Sequence, residues 1–377
     1  MLTQENTRLE QSIREFAQRV ASATDETAGR EAYRDGFAEL RSRLDLYPEV
    51  TRRPSTIFEA AAATACSVAA SSLPLGIAIV MHIYPLCALQ CVPLPWLSVA
   101  RHRRAKLVRD ARNHSLILAN AGSERVHGPQ SPVLATRCAG GVRVAGIFEY
   151  MSLGSVADIV LFAAPMADSA STVFCAAELC GDSVRLGTLK FRGNMRLSDT
   201  SSVTFLDHWV PSERCIVVPG NAALRCIADY QRCWFQLFLT DIHLARLEQL
   251  HRDWGLRRNV EEMASINEVS RLREYALRLL DEFPTRGIEA LSRTTTAMKL
   301  RVSLLARATM EALQASAAGD TSDARQRQSD AGELRYIRTQ PTADERILRA
   351  LQVSPDTGDS PVARRTEARL ISASAPA

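Results

Sequence analysis

Residues 191 to 211 read FRGNMRLSDTSSVTFLDHWVP. Arg196, Ser198, Asp199 and Thr200 crowd short polar side chains into one place, where they can hydrogen-bond nearby backbone and favour a turn. Val203 and Phe205 then alternate with polar neighbours, the period of a strand with one buried face. Val210 and Pro211 close the run, since proline lacks the N–H that a sheet interior requires. The stretch predicts a turn feeding a strand and raises the question of what so polar a turn holds.

Working outward, residues 131 to 152, SPVLATRCAGGVRVAGIFEYMS, place two strand-like runs around Gly140–Gly141, a hairpin signal. DIVLFAAPM (158–166), STVFCAAEL (171–179) and VRLGTLKF (184–191) continue with short β-rich runs and turn residues between. Closely spaced short strands predict an antiparallel sandwich or barrel. Upstream, Leu9, Ile13, Phe16 and Val20 recur at helical spacing, and Phe37, Leu40 and Leu44 repeat it. Beyond Pro219–Gly220 helical periodicity returns until about residue 318, with Phe235, Leu239, His243 and Leu247 on one apolar stripe. The end of the chain, rich in Ser, Pro, Ala and charge, reads as a disordered tail. The order is helices, strands, helices: an α+β chain divided at 1–113, 114–220, 221–350 and 351–377.

Composition excludes several alternatives. The 377 residues carry 46 basic and 42 acidic side chains, a net charge of +4, and lack the basic stripe with interleaved aromatics that nucleic acid requires. The run RHRRAKLVRD (101–110) reads as a solvated helix face. Nine scattered cysteines without a CxxC pair, and seven histidines without ligand spacing, argue against a disulfide framework or a metal site and for free thiols in a reducing cytoplasm. The start of the chain is a polar amphipathic helix without the apolar core of a signal peptide. Residues 60 to 100 are nearly free of charge, but Pro74, Pro85, Pro93 and Pro95 should cut them into pieces of roughly 10–18 residues, buried helices rather than a membrane span.

The opening stretch, MRLSDTSSVTFLDHWVP, resembles a segment of the acyl-CoA dehydrogenases and their flavin-monooxygenase relatives, in which an Arg-x-Ser-Asp-Thr turn precedes a strand ending Val-Pro. GGVRVAGIFEYMSLGSVADIVLFAA (140–164) is similar to that family's strand pair and following Ala-Asp strand. The resemblance implies an N-terminal helical domain, a central antiparallel β-domain and a C-terminal four-helix bundle, in a homodimer or homotetramer. It also implies FAD between the β-domain and the bundle. Tyr150 would replace the family tryptophan beside the flavin, with Met151 and Ser152 next to it. Ser123 and Glu124 would stand for the turn facing the flavin pyrimidine, and Thr342 for a flavin-contacting threonine.

Dehydrogenation of an acyl thioester needs a carboxylate to take the α-proton. The two places where the family carries it align here with Gln340 and with Gln231, beside the substrate-side Arg232. An amide cannot accept that proton. Asp229, Asp344 and Glu345 lie close by in sequence. The family arginine motif appears as HRDWG with Arg252 one position out of place, and Ala317 and Ala318 replace two glycines. The leading expectation is an FAD oxidoreductase of an acyl thioester on CoA or an acyl carrier protein, suited to specialised metabolism. A flavin monooxygenase of the same fold, which does not require the carboxylate, is the second reading. A non-catalytic subunit paired with a paralogue is the third.

Overall fold

The computed structural model describes residues 2–47, 53–91, 98–122, 133–191, 193–218, 221–283, 288–317 and 321–335. Five helices come first: α1 (Leu2–Ala21), α2 (Glu26–Arg41), α3 (Pro54–Ser71), α4 (Leu73–Cys91) and α5 (Ser98–Asn113). Eight strands follow: β1 (Leu118–Gly122), β2 (Val133–Cys138), β3 (Gly141–Met151), β4 (Ile159–Pro165), β5 (Thr172–Glu178), β6 (Val184–Leu189), β7 (Ser201–Pro211) and β8 (Cys215–Val218). A 3-10 turn, Gly193–Ser198, precedes β7, and another, Ser212–Arg214, follows it. Helices α6 (Asn221–Asp253), α7 (Val260–Glu282), α8 (Ile288–Ser316) and α9 (Ser322–Leu334) complete the described chain.

The strands run β6-β7-β3-β1-β4-β5-β8, with β2 on β3. The expected hairpin forms at Gly140, whose φ of +73° suits glycine, and Cys138 pairs with Gly141. The sheet is mixed rather than wholly antiparallel, because β1 pairs parallel with β4 through Leu118–Ile159 and its two neighbours. Strand β1 changes partner midway, turning to β3 at Ala121–Met151 and Gly122–Tyr150. It thereby joins two halves around a core of Val144, Phe148, Phe162, Val173 and Phe205.

Strand β7 contains a bulge that its alternation hides. Gly146 pairs with Phe205 but Val144 with His208, so β7 carries one extra residue, and Asp207 takes a φ of +54°. The extra residue lets Val203 and Phe205, and then Val210, all face inward, although the last has the opposite parity.

Two sequence expectations need correction. Pro85 does not break its helix: α4 runs for 19 residues through it, and Pro74 lies in the first turn, where no N–H is needed. Burial of Ile83, Tyr84, Leu86 and Cys87 around Pro85 offsets the missing hydrogen bond. Helix α4 is long and apolar enough to cross a membrane, yet 78% of its apolar window is buried within the chain's own fold. The second correction concerns α6. Its predicted stripe is partly its half-buried side, while Tyr230, Trp234, Leu237, Phe238 and Ile242 are fully enclosed. Phe58 of α3 meets Phe238 with ring centroids 4.6 Å apart, so the helices from both ends of the chain share one core.

That core is tight. A Cβ on Gly36 would lie 2.2 Å from Phe16, a fully buried ring. Gly36→Ala is expected to cost about 1–3 kcal/mol by overpacking, read as a lowered urea midpoint with unchanged slope.

Candidate functional site

The polar turn of the opening stretch is a clamp. Asp199 is buried, with φ +47°, a conformation that aspartate tolerates better than most residues. Its carboxylate accepts the Ser155 N–H at 2.6 Å and the Ser155 hydroxyl at 2.7 Å. Ser152 and Thr200 hydroxyls meet at 3.0 Å, and Gly154 N–H donates to the Asp199 carbonyl at 3.1 Å. From α2, Arg34 donates to the Ser155 carbonyl at 3.0 Å and Tyr33 to the Leu197 carbonyl at 3.1 Å. Arg196 reaches the Val20 carbonyl at 3.1 Å. The Arg-x-Ser-Asp-Thr turn thus ties the β3–β4 connection to α1 and α2. Burial raises the Asp199 pKa from 3.8 to about 6, against the lowering effect of Ser155, Arg30 and Arg34.

Beside this framework the sheet and helices enclose a cavity of about 510 Å3. Its floor is Asn120 and Ala121 of β1, Phe148 of β3, Leu161 to Ala163 of β4, Phe174 to Ala176 of β5 and Ile216 of β8. Tyr84, Pro85 and Leu89 of α4, Arg103 and Leu107 of α5, and Gln231, Arg232 and Phe235 of α6 cover it. On this side of the sheet Ala176 stands opposite Leu161, and Ala163 opposite Phe174. The Asn120 amide donates to the Tyr84 hydroxyl, and the Tyr84 ring lies 5.1 Å from that of Phe235. Burial pushes the Tyr84 phenol well above its ordinary pKa, so it stays neutral.

The charges on the wall differ in their pairing. Arg214 is paired with Glu178 at 2.6 Å, and Arg232 with Asp229. Arg103 donates to the Cys215 carbonyl at 2.8 Å and, among the described residues, has no carboxylate at ion-pair distance. Glu213 is the one carboxylate on the wall among the described residues. The space can hold a planar, mostly apolar molecule and offer it a few directed hydrogen bonds.

No family model matches the chain, and no curated protein matches it in sequence. Solved structures do match. The complex of TdsC from a Paenibacillus species with FMN and indole superposes with TM-score 0.64 at 16% identity, over 92% of this chain and 96% of that one. TdsC is a dibenzothiophene monooxygenase. MsuC, a methanesulfinate monooxygenase from Pseudomonas fluorescens, superposes with TM-score 0.64 at 16% identity, over 94% of this chain and 98% of that one. KijD3, in complex with FMN and a dTDP-linked keto sugar, gives TM-score 0.63 at 13% identity, over 96% and 97%. The fold is acyl-CoA dehydrogenase-like.

Within the acyl-CoA dehydrogenase-like fold, the residues singled out from the sequence separate into three groups. Gln231 and Arg232 lie on the cavity wall. Tyr150 and Met151 stand at the end of β3 beside Gly122 and Ala121. Tyr150 is 45% exposed with the Lys190 ammonium 6.0 Å from its ring centre, Met151 is buried, and the Ser152 hydroxyl is engaged with Thr200. Ser123, Glu124, Gln340 and Thr342 lie outside the described residues, as do Asp344, Glu345 and Ala318. The Arg252 guanidinium is held by Gln249 at 2.7 Å. Among the described residues no group of three or more His, Cys, Asp or Glu is placed to hold a metal.

Sequence reading missed Arg103, which it placed on a solvated face. A basic run has no internal mark that distinguishes a guanidinium turned inward.

Proposed function

We propose that this protein is a flavin-dependent monooxygenase acting on a mostly apolar, ring-bearing substrate with a hydrogen-bond acceptor. One observation carries the reading: the cavity is lined by apolar and aromatic side chains with a few donors, and Gln231 on its wall, one of the two positions where the resemblance would put the thioester base, is an amide. The monooxygenase structures that share the fold support the same choice over the thioester dehydrogenase.

The residues fit a flavin. The small side chains of Ala163 and Ala176 leave room for a planar ring against this side of the sheet, and Asn120 and Gln231 are polar groups on the same wall. FMN is favoured over FAD, because Arg252 is tied to Gln249 and the TdsC and KijD3 structures hold FMN. Reduced flavin, when bound, supplies the activation of dioxygen. The chain's own part is to position the substrate and exclude water. Tyr84, Phe148, Phe174 and Phe235 enclose the substrate in a low-dielectric space, and Arg103 fixes its acceptor group. A dimer or tetramer is part of the same reading.

Oxygen uptake with externally reduced FMN and a panel of aromatic heterocycles tests this, with product mass raised by one oxygen atom. Protein that takes up neither FMN nor FAD, or is bleached by acyl thioesters, would refute it. Within this reading Arg103→Leu is expected to raise KM about tenfold with kcat little changed, the worth of one charge-assisted hydrogen bond. An unchanged KM in a variant of normal melting temperature would remove Arg103 from substrate binding.

A further inference from the structure

Cys175 and Cys215 are directly opposed across the antiparallel pair of β5 and β8. Their sulfurs lie 3.9 Å apart in hydrogen-bond contact, and both side chains are buried. Opposed residues in such a pair have Cα atoms roughly 4.5–5.5 Å apart, inside the roughly 4.4–6.8 Å range of disulfides. The pair needs only small side-chain rotations to close. Both sulfurs face the core between the two halves of the sheet, while the neighbouring Phe174 and Ile216 face the cavity.

We propose that Cys175 and Cys215 form an oxidisable site, closed to a disulfide by hydrogen peroxide. The surroundings favour this chemistry. The hydrogen bond from Cys175 lowers the Cys215 pKa, burial opposes it, and the Arg103 charge supports it. The thiolate is the reactive form. In the first step the Cys215 thiolate attacks one peroxide oxygen. The O–O bond breaks, and the departing hydroxide takes the proton released by the thiol and leaves as water. Cys215 is then a sulfenic acid. In the second step the Cys175 sulfur attacks the Cys215 sulfur, the S–O bond breaks, and hydroxide leaves with the remaining thiol proton as a second water. Two S–H bonds and one O–O bond are lost, one S–S and two O–H bonds form, and two electrons pass from the thiols to peroxide. The product staples β8 to β5 on the cavity floor.

The site does not depend on the proposed oxygenase activity, because added hydrogen peroxide tests it directly. The full-length protein is treated with a small excess of hydrogen peroxide, denatured, alkylated and digested, and the peptides are weighed. The expected result is a crosslinked peptide joining Cys175 to Cys215, the loss of two alkylatable thiols per chain, and their recovery after dithiothreitol. Exposed Cys180 serves as the reference thiol. Cys175→Ser is expected to stop the reaction at a sulfenic acid on Cys215, trapped by dimedone. Both cysteines recovered fully alkylated while Cys180 is oxidised would overturn the proposal. So would Cys175 paired to any other cysteine. The wild-type peptide map decides even if the variant fails to fold.

Discussion

Arg246→Met is expected to lower the unfolding free energy by about 3–5 kcal/mol at pH 7, the usual cost of stranding a buried charge. Arg246 projects from α6 into a closed group. Its Nη2 lies 2.9 Å from Asp330 and 3.2 Å from Glu333, both on α9, and its Nη1 donates to the Ala70 carbonyl near the end of α3 at 3.0 Å. Its side chain is 7% exposed and those of its acidic partners 6% and 11%. Trp254 Nε1 also donates to Asp330 at 2.9 Å, and the Arg327 guanidinium lies 4.6 Å from the Trp254 ring centre. One cation thus holds three helices and answers two carboxylates.

The pH dependence is a second check. Burial raises the Glu333 pKa and Asp330 adds to the rise, while Arg246 lowers it. Without the arginine Glu333 should hold its proton to higher pH in the folded state than in the unfolded one. The folded variant then binds more protons, and its stability falls as pH rises through the ordinary carboxylate range. The deficit against wild type should therefore be smaller near pH 4 than at pH 7. Urea titrations at the two pH values measure it, and a deficit under about 1 kcal/mol at pH 7 would count against the buried-charge account.

Asp199→Ala is expected to cost about 3 kcal/mol, because in a buried turn it leaves the Ser155 N–H without its acceptor and the Ser155 O–H with no carboxylate to donate to. Asp199→Asn keeps an oxygen for the N–H and offers an NH2 to the hydroxyl, and should stay within about 1 kcal/mol of wild type. The sign with pH is again set by burial. The folded-state pKa of Asp199 is about 6 and its ordinary value 3.8. Between these values the folded chain holds the proton more tightly, so the wild-type contribution falls as pH rises from about 4 to about 6 and is level above. Asp241, raised to about 6 mainly by burial, slopes the same way, so the informative quantity is the difference between variant and wild type. Asp199→Asn should gain relative to wild type across that window. A difference that stays flat would show that Asp199 does not titrate there.

The clamp shows how far local reading reaches. Arg196, Ser198, Asp199 and Thr200 stand out in one short string, so their importance is visible without a structure. What they hold is not. Ser155 lies 44 positions from Asp199, and Tyr33 lies 164 from Leu197. The bulge at Asp207 is hidden for a related reason: Val203 and Val210 both look inward-facing, and only pairing with β3 reveals the extra residue between them. The α6 stripe misled because a helix enclosed on several sides has no single apolar face.

By itself the sequence determined the order of helices and strands, the hairpin at Gly140, and the turn before β7, because periodicity and turn chemistry act over a few neighbouring residues. Only the tertiary structure decided that Arg103 turns inward, that Cys175 meets Cys215, and that Arg246 finds two acids on α9. Each of these depends on which distant element covers a given face. Hydrophobic patterning tells a residue to be buried, and packing alone chooses its partner.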